Sequence, residues 1–66
     1  MERVTVAGTI VRVIRPPDAE PGHAELWWSK ELHTYVLEVC QTAELREGYE
    51  LRHIERGIAM LDEKRR

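Results

Sequence analysis

Hydrophobic and polar residues alternate in the first part of the chain and recur with a helical period in the last part. Residues 3–15 are rich in valine, isoleucine and threonine, a composition typical of a β-strand. The alternation is imperfect, because Val4, Val6 and Ile10 share one parity and Val11 and Val13 share the other. Two interpretations stay open: a bulge near Gly8 shifts the later residues onto the earlier face, or both faces are covered.

A proline-rich loop separates this strand from a second apolar segment. Residues 16–23 contain three prolines and a glycine, which cannot continue a ladder or a helix. Residues 24–40 contain β-branched and aromatic residues, as strands prefer. They also fit a helix with Ser29 as its N-cap, since Leu32 and the apolar residues after it recur at helical spacing. The composition favours the strand.

The last part of the chain has the pattern of an amphipathic helix over residues 42–65. Thr42 is a suitable N-cap, and the basic residues at the chain end suit the C-terminal end of a helix dipole. Gly48 is a point where this helix could break or restart. The predicted buried stripe consists of Leu51, Ile54, Ile58 and Leu61.

These elements predict an α+β fold. A β-hairpin formed by residues 3–15 and 24–40 precedes one helix at 42–65, which packs on one face of the hairpin. The alternative is a β-α-α arrangement with helices at 30–47 and 49–65.

The length of 66 residues predicts a single small domain, 1–66, with a narrow margin of stability. Cys40 is the only cysteine, so an internal disulfide is excluded and a reducing, cytoplasmic location is expected. No apolar run approaches the length of a membrane span, so no membrane partner is expected. Oligomerisation is the remaining way to stabilise so small a core, and we expect a homodimer.

Candidate chemistry is sparse. The side chains suited to a transition metal, which are those of His23, His33, Cys40 and His53, show none of the close pairs of a zinc motif. Neither Cys40 nor Ser29 follows a glycine-rich elbow that would present a nucleophile. We therefore expect no metal site, no cofactor and no enzymatic activity.

The adjacent tryptophans are the most informative feature. Neighbouring residues of a strand point to opposite faces, so Trp27 is predicted to face the helix and Trp28 to face outward. With Leu32 and Val36, Trp28 would form an apolar protein-binding anchor, and Arg12 would supply a charge at its rim. The competing interpretation is that both tryptophans lie in the core.

The favoured hypothesis is therefore a small regulatory or inhibitory protein that acts by contact with a protein partner. In its size and its lack of catalytic motifs the chain resembles, by type and not by any aligned residue, small proteins of phages and mobile elements that retune a host machine.

The alternative is a dimeric nucleic-acid-binding regulator that uses Arg12, Arg15 and the basic residues 64–66 to contact phosphates. Against it, acidic residues outnumber basic ones by 12 to 10.

Overall fold

Four β-strands and one C-terminal helix make up the fold. The computed structural model describes residues 2–46 and 48–65, with only the backbone at position 49. The elements are β1 (Arg3–Val6), β2 (Thr9–Ile14), β3 (Ala24–Ser29), β4 (Thr34–Val39) and α1 (Tyr49–Lys64). The predicted α+β class is confirmed, with four strands in place of two. No helix in the described ranges has the length and the apolar composition needed to cross a membrane.

The first predicted strand is a hairpin. Ala7 and Gly8 both have positive φ angles, 48° and 81°, and they connect β1 to β2 with Val6 paired to Thr9. A two-residue loop with two positive φ angles matches the twist of the strands that it joins, and glycine adopts such angles without steric cost. The predicted bulge and the predicted double coverage are both wrong, because the change of parity marks a turn.

The second predicted strand is a hairpin as well. Residues 30–33 form the turn between β3 and β4, and the Ser29 hydroxyl accepts a hydrogen bond from the Leu32 amide at 3.1 Å. His33 completes the turn with a φ of 54°. The prediction of one continuous strand over 24–40 is therefore wrong. The β-α-α alternative is wrong too, since β4 is a central strand of the sheet.

The strands form one sheet in the order β1-β2-β4-β3. Both hairpins are antiparallel, and the central strands β2 and β4 are parallel. The predicted loop at 16–23 is confirmed, and it connects the end of β2 to the start of β3 at the far edge. The ends of β2 and β4 and the start of β3 consequently lie at the same end of the sheet.

The helix begins later than predicted, at Tyr49 rather than near Thr42. Gly48 precedes it with a φ of 86°, so the predicted weak point is where the helix starts. The predicted stripe is confirmed: Ile54 and Ile58 are buried, and Leu51 and Leu61 pack against the core.

A glycine lets the helix approach the sheet closely. A Cβ atom placed on Gly57 would lie 2.7 Å from Cδ2 of Leu26 on β3. A larger residue would therefore push the Leu26 side chain or the helix aside, which accounts for a glycine within the helix despite its poor helix propensity.

Arg15, at the end of β2, ties down the segment between β4 and α1. Its guanidinium donates hydrogen bonds to the carbonyl oxygens of Cys40, Gln41 and Ala43 at 2.8–3.2 Å. It also forms a bidentate pair with the Glu2 carboxylate, at 2.7 and 3.0 Å. Arg15 was predicted to contact phosphates, but the structure shows that its guanidinium N–H groups donate hydrogen bonds within the chain.

We expect the buried stripe to carry much of the stability of the domain. Ile54→Ala should lower the free energy of unfolding by about 2–4 kcal/mol, because it leaves a cavity under the sheet. Met60→Ala, on the same helix at a residue that is 61% exposed, should change it by less than about 0.5 kcal/mol. Urea denaturation measures both, and equal losses would contradict the packing described here.

Candidate functional site

The helix covers one face of the sheet. Side chains that alternate along the four strands and point to this face form the core together with Ile54 and Ile58 of the helix. On the strands these are Val4, Val6, Val11, Val13, Leu26, Trp28, Tyr35, Leu37 and Val39. The strand residues that alternate with these point to the opposite side of the sheet, which we call the open face.

The two tryptophans lie on the faces opposite to those predicted. Trp28 pairs with Tyr35, which is in the core, and Trp27 pairs with Val36 on the open face. The turn at 30–33 reverses the chain, so even positions of β3 share a face with odd positions of β4. The prediction assumed a single strand over residues 24–40, in which odd-numbered residues all share one face. Because it did not include the turn, it assigned Trp27 and Trp28 to the wrong faces.

Trp28 has a structural role, since it joins the helix end to the sheet. Its ring makes edge contacts with the rings of Tyr35 and His33, at centroid distances of 5.0 and 5.3 Å. The guanidinium carbon of Arg65, just after the helix, lies 4.1 Å from the centroid of the Trp28 ring. Beside it the Tyr35 hydroxyl donates a hydrogen bond to Asp62. Burial raises the pKa of Tyr35, and the bond to Asp62 raises it further.

The open face has a central row of four side chains in register. Arg3, Arg12, Val36 and Trp27 are cross-strand neighbours on β1, β2, β4 and β3 in turn. Val36 is only 1% exposed, although no helix lies over it, so the surrounding side chains cover it. Trp27 is 36% exposed, which leaves part of a large aromatic surface in water. The row thus consists of two arginines on β1 and β2 followed by two apolar residues on β4 and β3.

Of the predicted binding residues, the structure brings two together. Arg12 and Val36 are direct neighbours on the open face. Leu32 is exposed in the turn between β3 and β4, and Trp28 belongs to the other face. The residues that the sequence reading missed are Trp27 and Ile10, which are both large, apolar and exposed on the open face. The sequence shows both residues to be apolar, but their faces can be assigned only once the turns at 7–8 and 30–33 are known.

A corner of the open face carries three metal-ligating side chains, which we call the acidic corner. It consists of His23, Glu25 and Glu38, and their ligand atoms all lie within 4.8 Å of one another. Nε2 of His23 is 2.8 Å from a carboxylate oxygen of Glu38, and Glu25 is the cross-strand partner of Glu38. A shallow cavity of about 560 Å³ lies beside it, lined also by Asp18 and Glu20.

Cys40 is buried at the end of β4. Its sulfur lies 3.6 Å from the Thr42 hydroxyl, and this side-chain hydrogen bond is the main cause that lowers the pKa of the thiol.

Charge divides the open face into two halves. The half formed by β1 and β2 carries Arg3 and Arg12, and the half formed by β3 and β4 carries Glu25 and Glu38. No family model, curated protein or solved structure matches this chain. Function is therefore inferred below from the open face and its acidic corner.

The two tryptophans should differ in their effect on stability. Trp28→Ala should lower the free energy of unfolding by about 2–4 kcal/mol, because it removes the ring on which Arg65 and Tyr35 pack. Trp27→Ala should cost less, about 1–2 kcal/mol, because Trp27 is 36% exposed and lies on the face away from the helix. Urea denaturation of both variants at a dilute protein concentration tests this, and the reverse order would contradict the assigned faces.

The pair of Glu2 and Arg15 should make stability depend on pH in the acid range. Hydrogen bonding from Arg15 lowers the pKa of Glu2 from its usual value of 4.5. A carboxylate with a lowered pKa stabilises the fold above its unfolded value, and this contribution is lost as the pH falls through the folded value. The native chain should therefore exceed Glu2→Gln in thermal stability at neutral pH, and the difference should shrink as the pH falls below the usual value and vanish only below the lowered pKa of Glu2 in the folded state.

Arg15→Met is the control for that experiment. In this background Glu2→Gln should change the melting temperature little at any pH, because the partner of the carboxylate is gone. A Glu2 effect that persists without Arg15 would show that another group causes the pH dependence.

Proposed function

We propose that this chain is a non-catalytic regulatory or inhibitory protein that acts by protein–protein contact through its open face. The observation that carries the proposal is the central row, where the exposed Trp27 lies beside Val36 and the two arginines continue the row on β2 and β1. Tryptophan and arginine are the residues most enriched at the energetic centres of protein interfaces. An apolar centre with a charged rim is the usual anatomy of such an interface.

The occupant of the open face that its charge pattern favours is a second copy of the chain. A two-fold interface brings one surface against itself, so a patch that is basic on one side and acidic on the other is self-complementary. With the axis parallel to the strands, β1 of one copy lies over β3 of the other. Arg3 would then lie over Trp27 and near Glu25 of the second copy, and Arg12 would lie over Val36.

The size of the face predicts a weak dimer. Four strands about 4.8 Å apart and about 17 Å long give a face of roughly 19 by 17 Å, or about 320 Å² in projection, which is smaller than the roughly 800 Å² per partner of a standard specific interface. The strands of two sheets that pack face to face run within about 30° of each other, so the central row of one copy would still lie roughly over the central row of the other. Dissociation constants in the micromolar range are therefore expected.

Such a dimer leaves other surfaces for an outside partner. The loop that contains Asp18 and Glu20 is exposed at the end of the sheet, and its acidic character favours a basic partner surface. A dimer that presents two such loops fits the expected phage-type regulator, which acts on a larger machine without catalysis. The buried position of Cys40 supports a non-catalytic role.

Nucleic-acid binding, the alternative, receives less support from the described residues. Arg15 is occupied by carbonyl groups and Glu2, and Arg65 stacks on Trp28. Arg66, part of the predicted basic C-terminus, lies outside the described residues. Arg3 and Arg12 remain on the open face, but Glu25 and Glu38 on the same face would repel phosphates.

Sedimentation equilibrium in a buffer with EDTA tests the dimer, over about 10–500 µM protein, which spans a weak interface. The native chain should change from monomer to dimer in this range. Trp27→Glu should raise the dissociation constant at least tenfold, because it removes the largest exposed apolar side chain of the open face from the contact. Met60→Glu, which puts the same charge on an exposed apolar residue of the helix, should leave it unchanged.

A charge exchange tests the orientation of the two copies. Arg3→Glu alone and Glu25→Arg alone should each weaken the dimer, and the double variant should regain most of the loss, because the pair is restored with its signs exchanged. A native chain that stays monomeric throughout, or a Trp27→Glu variant that dimerises as well as the native chain, would overturn the proposal. Binding of a nucleic-acid oligomer that weakens steeply between about 50 and 200 mM salt would favour the alternative instead.

A further inference from the structure

We propose that the acidic corner, formed by His23, Glu25 and Glu38, binds a divalent transition-metal ion, with Zn²⁺ as the fitting class. The inference does not depend on the dimer, because all three ligands come from one chain. It rests on the convergence of three ligating atoms within 4.8 Å and on the electrostatics of their arrangement.

The sheet itself creates the convergence. His23 directly precedes β3 and stands two positions before Glu25, so alternation puts both on the same face. Glu38 is the register partner of Glu25 on β4, which completes the cluster from the neighbouring strand. His23 and Glu38 are half-buried, and His23 is fixed by a backbone hydrogen bond to Glu20 at 3.0 Å. The ligands are therefore carried mainly by a paired part of the sheet.

The carboxylates are in an arrangement that is unfavourable without a cation. Like charges directly opposite each other on paired strands destabilise a sheet. The contact of His23 with Glu38 at 2.8 Å brings an imidazole to one carboxylate, but a single imidazole carries at most one positive charge and cannot balance two carboxylates. A divalent ion would balance both. Tetrahedral ligands of zinc lie roughly 3.3 Å apart, so the His23–Glu38 pair would need to open by only about 0.5 Å.

The donor set selects the class of ion. Magnesium and calcium prefer oxygen donors alone, whereas one imidazole with two carboxylates suits zinc and, less strongly, manganese. Three protein ligands leave an open position for water or a further carboxylate. Asp18 and Glu20 line the adjoining cavity and could supply that carboxylate from the loop. Bound metal would then link this loop to β3 and β4.

Isothermal titration calorimetry of the untagged chain with ZnCl₂ tests the site. The native chain should bind one Zn²⁺ per monomer and should bind Mg²⁺ at least tenfold more weakly. Glu38→Gln and His23→Gln should each lower the affinity for Zn²⁺ at least tenfold. Glu31→Gln and His33→Asn, which alter an exposed carboxylate and an exposed imidazole of the turn at 30–33, should not. Asparagine is chosen at position 33 because it tolerates the positive φ there.

Thermal denaturation gives a second readout that a merely structural role would not produce. Without metal, Glu25→Gln should melt at the same temperature as the native chain or higher, because it removes the repulsion with Glu38. With Zn²⁺ present it should melt below the native chain, because it has lost a ligand. The sign of its effect should therefore reverse when metal is added.

Three results would overturn the proposal: no Zn²⁺ binding by the native chain, equal binding by the ligand variants and their controls, or loss of binding in Cys40→Ser, which would move the site to the thiol. Trp27→Glu, which should not dimerise, should still bind one Zn²⁺ per chain. Failure of the dimer and failure of the metal site are thus distinguished by separate variants.

Discussion

A single helix of sixteen residues can cover only one face of a four-stranded sheet, and the chemistry of the chain is arranged around that constraint. The valines of β1 and β2 converge under the helix with Leu37 and Val39, because each hairpin turn returns apolar positions to the same side. The opposite face then has no partner among the described elements. Its residues are charged or hydroxylated except for Ile10, Ile14, Val36 and Trp27. The exposed apolar residues among them are the reason why we propose that the open face binds a partner.

So small a domain has little apolar surface to bury, and polar contacts hold the segments that the core does not. Arg15 fixes the irregular chain after β4 through three carbonyl groups. At the other end of the sheet, Asp62 and Arg65 attach the end of the helix to Tyr35 and Trp28. Residues that look like free surface charges in the sequence, Arg15 above all, are thereby withdrawn from any role toward a partner.

The sequence alone was sufficient for the fold class, the loop at 16–23 and the buried stripe of the helix, because each depends on local composition or on a single period. It failed at the hairpins. A turn of two or four residues reverses the relation between parity and face, and Ala7-Gly8 resembles a bulge as much as a turn. The positions of Trp27 and Trp28 depended on that reversal, so Trp28 was predicted to face outward where the structure has Trp27. The acidic corner was missed for a related reason, since His23 and Glu38 meet only through strand register.

The proposed dimer face and the proposed metal site share Glu25 and Glu38. These carboxylates give the open face its acidic half, and they are also two of the three candidate metal ligands. A bound divalent ion would neutralise that half and remove much of its attraction for Arg3 of a second copy. By thermodynamic linkage, any such weakening of the dimer by metal implies an equal weakening of metal binding by dimerisation. The cross-strand pair of Glu25 and Glu38 would thus couple dimerisation of this domain to the binding of a divalent metal ion.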